Sequence, residues 1–121
     1  MTDTIIPTQL ARIASGELLT EAVARIIHEV HPENVIIFGS RARGDERADS
    51  DVDLLVVASE ETIRRHGRRR LLARFWSAMG RLPASFDFLL FSPEEIARWR
   101  DSMNHVVCHA LREGKVLYER T

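Results

Sequence analysis

The sequence predicts an α/β protein of the α+β type, a short mixed β-sheet flanked by helices. Three observations carry that expectation. The runs NVIIF (34–38), DVDLLVVA (51–58) and ASFDFLLF (84–91) have the length and apolar content of buried strands. Residues 17–30 (ELLTEAVARIIHEV) repeat their apolar residues at helical spacing. The polar link RARGDERADS (41–50) between the first two strands is too short for a full crossover helix, so the sheet cannot be doubly wound.

Each element has a local reason. In the first helix Leu18, Leu19, Ala22, Val23, Ile26, Ile27 and Val30 form one stripe, and Pro32 stops it. The link 41–50 reads as a short helical turn followed by a loop. After Asp53 the second strand is apolar on both faces, so helices should cover both sides. A basic helical stretch spans about 60–80. Ser92-Pro93-Glu94-Glu95 opens a last helix with an N-cap, Pro at the first position and a capping-box Glu. Gly114 closes that helix, and KVLYE (115–119) is a short final strand or tail.

The 121 residues are expected to form a single domain, 1–121, with 45% apolar content for one core. Seventeen Lys and Arg against eighteen Asp and Glu give a net charge of −1, which argues against direct nucleic-acid binding. Of the seventeen cations only Lys115 is not Arg, and Arg makes planar contacts to phosphate and carboxylate. The single Cys108 excludes an internal disulfide and suits a reducing cytosol. No apolar run approaches the ~20 residues that cross a bilayer. The opening MTDTIIPTQLARIAS has no basic segment followed by an apolar one. A cytoplasmic protein without membrane contact is expected.

The chemistry concentrates around Gly39-Ser40, followed ten residues later by Asp51-Val52-Asp53. Side chains two apart on a strand share a face, so Asp51 and Asp53 point the same way, roughly 6–7 Å apart. Two hard carboxylates at that spacing suit a pair of Mg²⁺ ions. Gly39 lets backbone approach an anion, and Ser40 offers a hydroxyl and an N–H to a phosphate. Asp87 interrupts an apolar strand with Phe86 and Phe88 on the opposite face, and supplies a third acid. An internal ion pair to an Arg is the alternative for Asp87, since a buried acid needs a cation. The pattern reads as metal-assisted transfer of a nucleotide.

Other readings of the same residues fail. GSRARG has P-loop glycine spacing, but Asp45 and Glu46 stand where Lys and Ser or Thr are required. DSDVD resembles the start of a calcium EF-hand loop, but Leu54 occupies the position of the turn glycine. Solvated loop acids would leave Asp53 unexplained beside a strongly apolar strand.

GSRARGDERADSDVDLLVV, with Asp87 in a later strand, resembles the DNA polymerase β superfamily of nucleotidyltransferases, and more closely the minimal nucleotidyltransferase (MNT) domain proteins. The resemblance implies that fold, with Asp51, Asp53 and Asp87 as metal-binding and catalytic carboxylates. It implies that Gly39 and Ser40 hold the nucleotide's phosphates, with Arg41 or Arg43 assisting. It further implies two Mg²⁺ ions, ATP as substrate and AMP transferred to a hydroxyl, and a HEPN-domain toxin as partner in a hetero-oligomer. In that role the chain would be an antitoxin that modifies a tyrosine of the toxin. Neutralisation by contact alone, or transfer to a small molecule such as an aminoglycoside, are the alternatives.

Remaining features are read more plainly. In the basic stretch Leu71, Leu72, Phe75, Trp76 and Met79 form a stripe, and Arg64, Arg65 and Arg68 fall over it if the helix is continuous. Either the helix breaks near His66-Gly67, or these arginines project past the core edge towards an anion; a solvated face is the first reading, with contact to a phosphate or to an acidic partner surface the alternatives. Ile96, Trp99, Met103, Val106, Val107 and Ala110 define a buried face of the last helix. That places His105 and His109 nearly opposite it, as surface or partner-contact residues, and the His105, Cys108, His109 spacing is not read as a ligand set. Tyr118 is assigned to packing.

Overall fold

The computed structural model describes residues 3–5, 16–39, 42, 51–103 and 105–120. Its elements are β1 (Asp3–Ile5), α1 (Gly16–Val30), β2 (Asn34–Phe38), β3 (Val52–Val57), α2 (Glu60–His66), α3 (Arg68–Met79), β4 (Phe86–Phe91), α4 (Pro93–Trp99), α5 (Val106–Glu113) and β5 (Lys115–Arg120). The strands form one sheet in the order β1-β5-β2-β3-β4. Only β3 and β4 run parallel; the other neighbours are antiparallel. The mixed sheet is therefore as expected. Among the described residues no helix is long and apolar enough to cross a membrane.

Alternation along the strands divides the core in two. Val35, Ile37, Leu54, Val56, Phe86, Phe88 and Leu90 face α1 and α3, which contribute Leu19, Val23, Ile26, Leu71 and Phe75. Ile36, Leu55 and Val57 face the other way, against Ala110 of α5, with Leu89, Phe91, Ile96 and Leu111 packed around them. Both faces of β3 are covered, as its apolar run required. Tyr118 is fully buried in the larger cluster, in line with its packing assignment.

Two boundaries differ from the sequence reading, and one alternative it left open is decided. The segment Asp3–Ile5, not read as a strand, pairs with β5, so β5, expected as a final strand or a tail, is an inner strand between β1 and β2. Of the two alternatives for the basic stretch the break holds: it falls at Gly67, whose φ of 86° is left-handed, and the phase of the helix restarts at Arg68. The last helix is two helices. Arg100 ends α4 and His105 caps α5, so the apolar phase resets between them. Val107, Cys108 and Ala110 are buried, whereas Trp99, Met103 and Val106, placed on the buried face by a continuous helix, are exposed.

The outer strand β4 is shielded along its free edge. Val52 donates to the Ser85 carbonyl and Ala58 to the Phe91 carbonyl, so odd-numbered residues bond β3 and Phe86, Phe88 and Leu90 turn outward. Trp76 Nε1 donates to the Phe86 carbonyl (2.9 Å) and Arg68 Nε to the Leu90 carbonyl (3.1 Å). Two of the three outward carbonyls are thus occupied by side chains, which blunts the edge against strand addition.

Candidate functional site

The acids collect at one end of the sheet through register. β3 and β4 pair in parallel with Val52 opposite Phe86 and Asp53 opposite Asp87. Neighbours in a parallel pair point to the same face, so both carboxylates leave the sheet on the α4/α5 side, one step before Leu55 and Leu89. The cover on that face thins towards this end: Leu55 is fully buried, Asp53 half-buried and Asp87 exposed. Asp51 stands one residue before β3 and is exposed. It is two residues from Asp53, and the strand period, continued one residue beyond β3, would put it on that face.

The turn after β2 closes on the same carboxylate. Phe38, the last residue of β2, is the register partner of Asp53. Gly39 follows with φ of 78°, and a Cβ built there would lie 2.3 Å from Asp53 Oδ2. The carboxylate fills the space any other residue would need, so this glycine is required both for its backbone conformation and for its missing side chain. Ala42 donates its N–H to the Gly39 carbonyl (3.1 Å) and is buried, which fixes the start of the turn on the core. Ser40, Arg41 and Arg43 lie outside the described residues.

Asp87 was expected as a buried acid, with an Arg ion pair as the alternative. It is exposed, and among the described residues no cation pairs with it. Burial is therefore not what brings it to the site. Its register opposite Asp53 is. Among the described residues no three carboxylate, imidazole or thiol side chains close around a common point. The three acids share a sheet end rather than a finished cage.

The other candidates fall elsewhere. Arg64 and Arg65 pair with Glu60 (3.4 Å) and Glu61 (2.8 Å) one turn earlier on α2 and remain solvated. Arg68 is structural: it bonds Leu90 and Glu95 and lies over the Phe91 ring at 5.7 Å. Glu95 is held below the ordinary carboxylate value. Burial pushes it up, but hydrogen bonds from the Ser92 backbone and from Arg68, with the Arg68 charge, outweigh that. His105 Nδ1 accepts from the Val107 N–H as the cap of α5, and its ring stacks on Trp99 at 4.5 Å. His109 is exposed, whereas Cys108 is buried. The contact between Gly39 and Asp53 was not read from sequence. A glycine directly after a strand was its only signal.

Comparison with known proteins agrees with this arrangement. Residues 21–121 match the sequence model of the family described as Polymerase beta, Nucleotidyltransferase. The chain is 33% identical over 88 residues to a protein of Methanocaldococcus jannaschii named "Putative protein adenylyltransferase MJ1305", a match over 72% of this chain and 58% of that protein. The chain thus spans less than two thirds of that relative's length. The crystal structure of a "putative nucleotidyltransferase" from Sulfolobus solfataricus superposes with a TM-score of 0.51 and 28% identity, over 75% of this chain and 77% of that one.

Proposed function

The chain belongs to the polymerase β nucleotidyltransferase family, and from that premise we propose that it transfers AMP from ATP to a hydroxyl of a partner protein in a Mg²⁺-dependent reaction. The observation that carries this reading is the register of Asp53 against Asp87, at a sheet end where Gly39 leaves room for the Asp53 carboxylate. The relative named as a protein adenylyltransferase supports a protein acceptor. A tyrosine of a HEPN-domain toxin is the acceptor in this proposal, and the chain its antitoxin.

The donor set fits the metal. Asp51, Asp53 and Asp87 offer hard oxygen ligands, and the space kept open at Gly39 lets one of them sit against the turn that would meet the triphosphate. These three would hold two Mg²⁺ ions, which when bound would neutralise triphosphate charge and polarise the reacting oxygens. The chain's own residues then have separate tasks. The backbone after Gly39, with Ser40, Arg41 and Arg43, would bind the phosphates and align the α-phosphorus. The acceptor oxygen forms a bond to that phosphorus, the bond to the β-phosphate oxygen breaks, and pyrophosphate leaves. Exposed Asp87, open to an incoming hydroxyl, would accept its proton.

The test is incubation with α-labelled ATP and Mg²⁺, with and without the product of the neighbouring gene. Label on a tyrosine of that product, absent with Asp53→Asn, is the expected result. Tight complex formation with no label at any nucleotide or metal would overturn transfer and leave neutralisation by contact.

A further inference from the structure

A second concave site lies on the same sheet face as the acids, at the opposite end. Ile36 and Val57 form its floor, Ile96 and Leu111 its walls, and Asn34 and Arg100 its polar rim. Val57 is four residues along β3 from Asp53, about 13 Å at strand rise. The cavity measures about 270 Å³, below the range that encloses a drug-sized ligand and suited to one or two apolar side chains.

Two further observations fix the chemistry of the occupant. Arg100 is exposed at the end of α4, lines the cavity, and has no ion-pair partner among the described residues. The nearest acid in the sheet register, Glu119 opposite Asn34, does not line the cavity. A free guanidinium beside an apolar pocket favours a carboxylate next to an apolar side chain. Beyond the pocket, Trp99 (36%), Met103 (71%) and Val106 (41%) are exposed at the α4–α5 junction. Trp99 is one i,i+3 step from Ile96, so apolar surface continues outward from the wall of the pocket. A small molecule has no use for that surface, whereas a protein partner does.

We infer that this pocket docks a protein segment carrying an apolar side chain beside a carboxylate, with the side chain against Ile36, Val57, Ile96 and Leu111 and the carboxylate on Arg100. It deepens the transfer reading, since a partner held there would lie within one short strand length of the acids.

The test needs neither nucleotide nor metal, so a failure of the transfer reading leaves it intact. The ¹⁵N-labelled chain is titrated with a capped tetrapeptide bearing one leucine beside one aspartate. Saturable amide shifts at Asn34, Ala97, Arg100 and Leu111 are expected. Replacing the aspartate with asparagine should weaken binding by about threefold, the scale of an exposed ion pair, and replacing the leucine with glycine should abolish it. Arg100→Glu, at an exposed helix end where folding is not at risk, should reverse the preference towards a lysine-bearing peptide. No saturable shift at millimolar peptide, shifts confined to the Asp53 end, or an unchanged preference in Arg100→Glu would each overturn the assignment.

Discussion

Replacing Gly39 with alanine tests the site through its tightest contact. The new Cβ would sit 2.3 Å from Asp53 Oδ2 and 3.2 Å from its Cγ, at a φ of 78°. The backbone conformation alone costs about 1–3 kcal/mol for a residue with a side chain. For a chain of this size that is a fall in Tm of roughly 4–12 °C. The oxygen must also retreat by about 1 Å to restore ordinary contact, and misplacement of a reacting group by that much costs on the order of 10²-fold in rate. Gly67→Ala is the control. It has a φ of 86°, but its Cβ would meet nothing within 4 Å, so it carries the strain without touching the acids. Denaturant unfolding and Mg²⁺-dependent pyrophosphate release are measured on both variants. Both should lose stability, and only Gly39→Ala should lose transfer. Wild-type transfer in Gly39→Ala, or equal loss in Gly67→Ala, would refute the role assigned to the Gly39–Asp53 contact.

Asp87→Asn should change stability by no more than about 0.5 kcal/mol, as an exposed substitution, while transfer falls; unchanged pyrophosphate release would remove Asp87 from the chemistry. Glu95 titrates below its ordinary value of 4.5 in the fold, so its contribution is present above that pH and is lost as pH falls through the folded value. Urea midpoints between pH 3 and 6 should therefore drop less steeply for Glu95→Gln than for the wild type, and parallel curves would contradict the Arg68 and Ser92 contacts as the cause. Trp76→Phe combined with Arg68→Ala frees the Phe86 and Leu90 carbonyls on the outer edge of β4. Concentration-dependent self-association by light scattering is expected for that pair, and a size unchanged from the wild type would show that the edge is guarded in some other way.

What was legible in the sequence had a strong local cause. The stripe of α1, the two-faced apolar run of β3 and the capping box of α4 each declare themselves within a few residues. The spacing of the paired acids and the glycine between two strands was equally visible, since it lies within a few residues of sequence. Three residues at Asp3–Ile5 are too few for any period to show, and β1 exists only because β5 offers a partner. The split between α4 and α5 was hidden because Ile96, Trp99, Met103 and Val107 continue one helical phase in sequence although α4 ends at Trp99 and α5 begins only at Val106. His105, read as an outward surface residue, instead supplies the new cap and stacks on Trp99. Asp87 was expected as a buried acid, whereas it is exposed and stands beside Asp53 through register alone.

That register shows why the sheet must be mixed. The antiparallel hairpin of β2 and β3 brings the end of one strand to the start of the next, which sets Phe38 and Gly39 against Asp53. The parallel pairing of β3 and β4 then brings start to start, which sets Asp87 beside Asp53. Were β4 antiparallel, its start would lie at the Val57 end, and Asp87 would stand about 13 Å from the other acids at strand rise. The parallel arrangement needs a crossover, and α2 and α3 provide it, with α3 packed on α1 and Arg74 fastened to Glu29 at 3.0 Å. The arginine-rich stretch, read first as a solvated face, thus also serves geometry. It returns the chain to the end of the sheet where a third carboxylate can join the first two.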